Sequence, residues 1–277
     1  MIIGIIGIGF VGNALKESFK KNSINLKLYD KYKNIGCFED ILESDIVFLC
    51  LPTNINNKKI LDKTEIVNIC NELNLNNFKG LIVIKSTIEP TTIEFLSKNF
   101  VDLNFIHNPE FLTARTAEED FHNQSHIVLG RSDSCPNQYL DLLKNFYIKY
   151  YPNAKISVCS SLESESMKIF CNSFYSVKIQ FFNELYDFCQ KINIDFEKVK
   201  DLMLENNWIN PMHTDVPGPD GNLSYGGMCL PKDSEALLNC MKDFGSINGI
   251  LEASIKERNL MRKDNNLIRE NNTSLNL

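Results

Sequence analysis

The stretch from Ile2 to Gly12, IIGIIGIGFVG, places a short apolar run before three glycines with the spacing G-x-G-x-x-G. The apolar run predicts a buried strand, and the pattern that follows the last glycine predicts a helix. In such a turn Gly7 permits the tight bend, Gly9 lets a pyrophosphate approach the backbone, and Gly12 allows close helix–strand packing. The stretch therefore predicts a Rossmann-type dinucleotide site, with the phosphates at the N-terminus of the helix.

The next apolar run, Leu26–Tyr29, alternates like a strand and ends at Asp30. A carboxylate at this position accepts hydrogen bonds from the ribose hydroxyls of NAD and repels the 2′-phosphate of NADP. The alternative is an ordinary aspartate at the end of a strand. Because the glycine motif stands at the correct distance upstream, the sequence favours NAD binding by Asp30.

Further apolar runs predict parallel strands, and polar residues follow them. The runs cover residues 45–51, 81–84, 104–107 and 127–130, and a shorter strand is expected near 156–158. Pro52 and Thr53 follow the first of these runs, Lys85-Ser86-Thr87 the second, and the segment Asn108–Leu112 the third. Ligands of open α/β sheets bind at the carboxyl ends of the strands. Thr87 or Glu110 alone would be typical of a turn or cap, but together at one sheet edge they are candidate site residues.

Residues 162–191 contain no glycine or proline and predict one long helix. Its apolar residues recur in steps of three and four at Phe170, Phe174, Val177, Phe181, Leu185 and Phe188. A helix of this length can serve a subunit interface as well as a core. Lys168 and Asn172 are four apart on another face, where a cation and an amide could hold an oxyanion. Spacing alone favours a surface ion pair between Glu165 and Lys168.

The stretch Tyr225–Asp233, YGGMCLPKD, places Cys229 between a pair of glycines and a Pro-Lys-Asp run. Proline is well tolerated at the first helical position, so a helix is expected to begin here. A helix N-terminus and a nearby cation such as Lys232 both favour the thiolate form of a cysteine. The alternative is a structural cysteine in a loop.

Composition limits the possible functions. A chain of 277 residues forms one large or two modest domains, and a net charge of −6 argues against a general nucleic-acid binder. The apolar N-terminus is too short for a membrane span and lacks the basic leader of a signal peptide. The nine cysteines include no C-x-x-C pair, which predicts reduced thiols in a cytoplasmic protein and no zinc site.

These motifs, in this order, resemble those of the UDP-glucose/GDP-mannose dehydrogenase family, which are NAD-dependent nucleotide-sugar 6-dehydrogenases. The resemblance spans nearly the whole chain, and its most specific parts are Glu165-x-x-Lys168-x-x-x-Asn172 and the Cys229 stretch. It implies oxidation of a sugar C6 alcohol in two hydride transfers. Cys229 would capture the aldehyde as a thiohemiacetal, a second NAD would leave a thioester, and water would release the uronate.

The resemblance also implies roles for single residues. Lys168 and Asn172 would steady oxyanions, Asp233 would orient a water or assist proton transfer, Thr87 would position that water, and Glu110 would assist hydrolysis. The implied cofactor-binding residues are Gly7, Gly9, Phe10, Val11, Gly12, Asp30, Pro52, Thr53, Ser86, Thr87 and Lys232. The implied substrate-binding residues are Glu110, Phe111, Leu112, Lys168, Tyr225 and Gly226.

The chain departs from the family pattern in three places. Ala114, followed by Arg115, stands where the family commonly has a second glutamate, which puts the hydrolytic half-reaction in question. Ser224-Tyr225-Gly226-Gly227 replaces the commoner Gly-Phe-Gly-Gly. The family usually continues into a third, α/β domain, and this sequence ends about where that domain would start.

The expected fold is α/β: a Rossmann-type, doubly wound parallel sheet over residues 1–155, then a helical dimerisation domain over 156–277. The leading function is oxidation of a nucleotide sugar, UDP-glucose by default, by a homodimer joined through helix 162–191. Two alternatives stay open. One is a two-electron dehydrogenase of the 6-phosphogluconate or β-hydroxyacid type, which has no need of Cys229. The other is a truncated, non-catalytic NAD- or sugar-binding partner protein.

Overall fold

A computed structural model of the chain describes residues 1–113, 115–262 and 264. Its residue contacts form two compact units. The first comprises Met1–Thr53 and Asp62–Lys168, and the second comprises Asn54–Leu61 and the chain from Ile169 onward. The division falls inside one long helix, at Lys168, whereas the sequence patterns suggest a domain boundary at residue 155.

The first unit contains a seven-stranded sheet. Its strands are β1 (Ile2–Ile6), β2 (Asn25–Tyr29), β3 (Ile46–Leu49), β4 (Leu81–Ile84), β5 (Asn104–His107), β6 (His126–Arg131) and β7 (Lys155–Ser160). The strand order is β2-β1-β3-β4-β5-β6-β7, and β1 to β5 are parallel. β6 runs antiparallel to β5 and parallel to β7. The predicted Rossmann-like α/β fold is confirmed, with the correction that the last two strands are reversed.

Helices connect these strands. They are α1 (Phe10–Lys21), α2 (Phe38–Ile41), α3 (Thr64–Leu75), α4 (Thr92–Asn99), α5 (Ala117–His122) and α6 (Asn137–Tyr150). The connection from β5 to β6 contains the six-residue α5, which packs against α1. The strand β6 that follows it runs antiparallel to β5.

Apolar clusters cover both faces of the sheet. On β1, Ile3 and Ile5 pack into one cluster with Phe19 of α1, while Ile6 packs into the other with Ile66 of α3. Successive strand residues point to opposite faces, so both sets of positions must be apolar. The near-continuous apolar runs of the sequence follow from this double burial.

The second unit is helical. It contains most of α7 (Ser161–Lys191), with α8 (Phe196–Leu204), α9 (Leu230–Asp243) and α10 (Gly249–Met261). One core cluster joins Ile169 of α7 to Leu237 of α9 and Ile255 of α10, and Leu61 also packs there. The predicted long helix is confirmed. No helix within the described residues is long and apolar enough to cross a membrane.

Within the described residues, the phenylalanine face of α7 is not buried in a core. Phe170, Phe174, Phe181 and Phe188 are 53%, 63%, 52% and 58% exposed. The buried side of the same helix carries mainly polar residues, among them Asn172, Ser173, Ser176, Gln180 and Asn183. Several of these polar side chains form hydrogen bonds to α9 and to the segment before Cys229, which lowers the cost of burying them.

Candidate active site

The glycine turn after β1 has the geometry that its sequence predicts. Gly7 has φ +86°, and a Cβ there would lie 2.6 Å from the Cys50 carbonyl oxygen. A Cβ on Gly12 would lie 1.9 Å from the Gly7 carbonyl oxygen. At Gly9 a Cβ would meet no described atom within 4 Å. Packing therefore requires Gly7 and Gly12, whereas Gly9 opens space at the N-terminus of α1 that fits a dinucleotide diphosphate.

A cavity of about 580 Å³ lies beside this turn, in the first unit. Its wall includes Ile8, Gly9, Phe10, Asn13, Lys33 and residues 115–119. Arg115 lies in this wall, and Ala114, the position of the second family glutamate, lies outside the described residues. The side chain of Val11 is half-buried and packs against the core cluster.

Asp30 organises one wall of the cavity. Its Oδ2 accepts from the backbone N–H of Ile8 at 2.8 Å, and its Oδ1 accepts from those of Tyr32 and Lys33 at 3.1 and 3.0 Å. The Lys33 Nζ donates to the Ile8 carbonyl at 2.6 Å. A carboxylate has about four lone-pair sites, so Asp30 retains acceptor capacity for a ribose hydroxyl.

The ends of β3 and β4 are tied together by polar side chains. Ser86 Oγ donates to the Leu51 carbonyl at 2.7 Å and accepts from the Leu51 N–H at 3.0 Å. Thr53 Oγ1 donates to the Thr87 carbonyl at 2.7 Å. Ser86 and Thr53 are buried, Thr87 is half-buried and Pro52 is exposed. These bonds fix the sheet edge at which a ligand is expected.

Lys85 links two motifs that are far apart in sequence. It is buried, and its Nζ donates to Asn108 Oδ1 at 3.1 Å and to the Pro109 carbonyl at 3.3 Å. The Tyr147 hydroxyl also donates to Asn108 Oδ1, at 2.5 Å. Burial lowers the pKa of Lys85 to about 8. The lysine thus fixes the turn that immediately precedes Glu110.

Glu110 and Lys168 form a buried ion pair between two predicted site residues. Lys168 Nζ lies 3.2 Å from Glu110 Oε1, and the two side chains are 6% and 11% exposed. Glu110 Oε2 accepts from the Leu112 N–H at 2.6 Å, and the Lys168 amine lies 5.4 Å from the centroid of the Phe111 ring. The surface ion pair suggested by helical spacing is wrong, because Lys168 is buried and pairs with Glu110.

Glu165, one helical turn before Lys168, has a different partner. Its two oxygens accept from the backbone N–H groups of Thr91 and Ile93, both at 2.7 Å, at the N-terminus of α4. Burial raises the pKa of Glu165 to about 7. This carboxylate, 0% exposed, holds the first turns of α7 on α4 and so helps to place Lys168. Glu165 belongs to the motif predicted from sequence, but its partner on α4 is evident only from the structure.

The second unit brings three of its predicted site residues together at the start of α9. Asn172 Nδ2 donates to Asp233 Oδ2 at 2.6 Å, and Lys232 Nζ lies 2.5 Å from Asp233 Oδ1. Asp233 is 0% exposed, and its backbone N–H donates to the Cys229 carbonyl at 3.0 Å. Cys229 is the exposed N-cap residue of α9. An accessible thiol therefore sits at the positive end of a helix dipole.

Two serines add to this arrangement and carry no recognisable sequence signal. Ser234 Oγ donates to Ser176 Oγ at 2.8 Å and lies 2.8 Å from the Leu230 carbonyl. These contacts tie the first turn of α9 to α7. Tyr225 is 2% exposed, which leaves mainly its backbone available to a substrate, and the neighbouring Gly226 is half-buried.

Sequence comparison places both units in one family. The NAD binding domain model of the UDP-glucose/GDP-mannose dehydrogenase family matches residues 13–150, and its central domain model matches residues 162–259. The chain is 28% identical to a UDP-glucose 6-dehydrogenase of Campylobacter jejuni, over 95% of this chain and 73% of that protein. It is 30% identical to a UDP-glucose 6-dehydrogenase of Rickettsia bellii, over 79% of this chain but only 50% of that protein.

Structural comparison agrees on the fold. A UDP-glucose dehydrogenase from the archaeon Pyrobaculum islandicum superposes with a TM-score of 0.82 at 20% identity. The match covers 94% of this chain and 68% of the archaeal chain. At this identity the likeness concerns the fold alone.

Proposed function

Because the chain belongs to the UDP-glucose/GDP-mannose dehydrogenase family and its cofactor is NAD, we propose that it oxidises a nucleotide sugar at C6 to the uronic acid. The observation that carries the proposal is the exposed Cys229 at the start of α9, with Asp233 held by Asn172 and Lys232. Binding NAD does not require Asn172, Cys229 or Asp233, whereas aldehyde capture requires a nucleophile. UDP-glucose is the proposed default substrate.

The proposed chemistry divides the oxidation into two hydride transfers. NAD, which the Gly7–Gly12 turn and Asp30 would hold, would supply the hydride acceptor for each of them. The first leaves an aldehyde, and the Cys229 thiolate adds to its carbonyl carbon to form a thiohemiacetal. The second leaves a thioester, and water then breaks the C–S bond to give the carboxylate and return the thiol. The helix N-terminus at Cys229 favours the thiolate that begins this sequence.

The other site residues carry charged or polar groups suited to these steps. Oxygen bears negative charge during thiolate addition and again during thioester hydrolysis, so cationic or N–H donors accelerate both. Lys168 and Asn172 are the proposed donors. Asp233 is proposed to hold a water or move a proton, and Glu110, with Thr87, to direct the hydrolytic water.

Cofactor stoichiometry tests the proposed reaction directly. Wild-type protein is expected to form two NADH for each nucleotide sugar consumed, because the alcohol and the thiohemiacetal each lose a hydride. The measurement follows absorbance at 340 nm and product by mass spectrometry, over a panel of UDP- and GDP-linked hexoses and N-acetylhexosamines. One NADH per sugar would favour the two-electron dehydrogenase. NAD binding without turnover across the panel would favour the non-catalytic binding protein.

The exposed phenylalanine face of α7 supports the proposed homodimer. Four phenylalanines at helical spacing, each more than half exposed, form an apolar surface of the kind that marks protein interfaces. We expect Phe174→Asp with Phe181→Asp to lower the molar mass measured by sedimentation equilibrium from two chains to one. Leu75→Asp, at an exposed position at the C-terminal end of α3, is the matched control. A wild-type protein that sediments as one chain would contradict the dimer.

A further inference from the structure

The segment that leads to Cys229 lies against two arginines of the last described helix. Arg258 belongs to α10, and Arg262 is its C-cap residue. The Arg258 Nε donates to the Tyr225 carbonyl at 3.2 Å, and its guanidinium carbon lies 5.8 Å from the centroid of the Tyr225 ring. The Arg262 Nη1 donates to the Leu223 and Ser224 carbonyls at 3.3 and 3.2 Å. Three consecutive carbonyls are therefore bound by two guanidinium groups.

Carboxylates fix both guanidinium groups in place. Arg258 and Arg262 both bind Asp264, and the Arg262 Nε donates to it at 2.7 Å. Arg262 also pairs with Asp220, three residues before Leu223. The side chains of the two arginines are 5% and 9% exposed. Buried ion pairs of this kind are fixed in geometry, and loss of one partner leaves a charge without compensation.

The opposite side of the segment is held by α7. Gln180 Oε1 accepts from the Ser224 hydroxyl at 2.6 Å, and Asn183 Oδ1 accepts from the Ser224 N–H at 2.7 Å. Ser224 has φ +57°, a strained conformation for a non-glycine residue. Contacts from both helices therefore maintain a backbone path that the segment alone would rarely adopt.

The same contacts account for Gly226. A Cβ on this residue would lie 2.3 Å from Nη2 of Arg262, so no larger residue fits while the arginine is in place. At Gly227, with φ +78°, a Cβ would meet no described atom within 4 Å. The N–H groups of Gly226 and Gly227 form no hydrogen bond with another described residue. They remain available as donors to a ligand rich in oxygen.

We propose that Arg258 and Arg262 are positioning residues that hold the segment Leu223–Gly227 in the form that binds the sugar part of the substrate. This inference rests on the proposed function. With the carbonyls bound by the arginines, the segment can present its glycine N–H groups to sugar hydroxyls beside Cys229. Substrate affinity then depends on α10, although neither arginine need touch the sugar.

The test compares Arg262→Ala, Arg262→Lys and Arg258→Ala with wild type. Arg131→Ala is the matched control, because Arg131 also donates to a backbone carbonyl, that of Cys135, in the first unit. We expect Arg262→Ala to raise the KM for UDP-glucose at least tenfold, with a smaller change in kcat and an unchanged Kd for NAD. Arg262→Lys should recover part of the affinity, since one amine can bind one or two of the carbonyls.

Hydrogen exchange separates this inference from the proposed function. Arg262→Ala is expected to speed exchange of the Ser224 amide, which donates to Asn183, at least tenfold, while exchange in α7 and in the sheet stays as in wild type. Hydrogen exchange can be measured even if the protein turns over no sugar. In that case the proposed function fails, but the inference about the arginines can still be tested. Unchanged exchange of the Ser224 amide, or a KM within twofold of wild type in an active enzyme, would overturn the inference. If Arg262→Ala does not fold, Arg262→Lys and Asp220→Asn are judged by the same criteria.

Discussion

Cys229→Ser is expected to stop uronate formation, lowering its rate by roughly three orders of magnitude or more, as loss of a catalytic nucleophile does. A serine hydroxyl is almost wholly protonated near neutral pH, and so is a much weaker nucleophile toward the aldehyde than a thiolate. At most one NADH per sugar should form, because without the thiohemiacetal the second hydride transfer has no bound donor. The measurement is NADH yield per sugar, with intact-protein mass spectrometry of quenched wild type to detect the acyl adduct.

Cys240→Ser is the matched control for this substitution. Cys240 lies on the same helix, α9, three turns from the N-terminus, and is half-buried. The control should keep a yield of two NADH per sugar and an unchanged NAD affinity. If Cys229→Ser also gave two NADH and free uronate at a rate near that of wild type, covalent catalysis by this thiol would be refuted.

The parts of the site predicted from sequence are those fixed by local backbone requirements. Gly7 must be a glycine because a Cβ would collide with the carbonyl of Cys50, just after the neighbouring strand β3, and Gly12 because a Cβ would collide with the Gly7 carbonyl. The start of α9 near Cys229 is likewise signalled by Pro231, at its first turn. These constraints act between residues that are close in sequence or at the ends of adjacent strands, so they can be recognised in one amino-acid sequence.

Partners far apart in sequence could not be predicted in this way. Lys168 pairs with Glu110, 58 positions earlier, and not with Glu165 on its own helix. Glu165 instead caps α4, where two backbone N–H groups lack intrahelical partners. Helical spacing shows which residues share a face, but not which element covers that face. Tertiary packing therefore determines which of the two glutamates pairs with Lys168.

The two faces of α7 illustrate the same limit. The phenylalanine spacing suggests a core, yet the structure exposes that face and buries the polar one. Polar residues can be buried there because α9 and the segment before Cys229 supply hydrogen-bond partners, such as Ser234 for Ser176 and Ser224 for Gln180. The sequence likewise gives no sign that Arg258 and Arg262 are functional residues, since their acceptors are backbone carbonyls 33 to 39 residues away.

Lys168→Met is expected to lower kcat by about a hundred- to a thousand-fold, the usual loss when one oxyanion donor is removed. The substitution keeps the length and apolar stem of the side chain but removes its charge. Glu110 then stays mostly buried without its cation, which leaves a charge without compensation.

Lys191→Met is the control, because Lys191 lies on the same helix but is exposed and pairs with Asp187 one turn away. It should leave kcat unchanged. Glu110→Gln completes a double-mutant cycle: if the pair acts as a unit, Lys168→Met should cost far less in the Glu110→Gln background than in wild type. Equal losses of kcat in the two backgrounds would show that Lys168 acts independently of Glu110.

A kcat for Lys168→Met within threefold of wild type would remove the lysine from the proposed mechanism. A group that stabilises charge in the transition state cannot be deleted with so small a loss of rate.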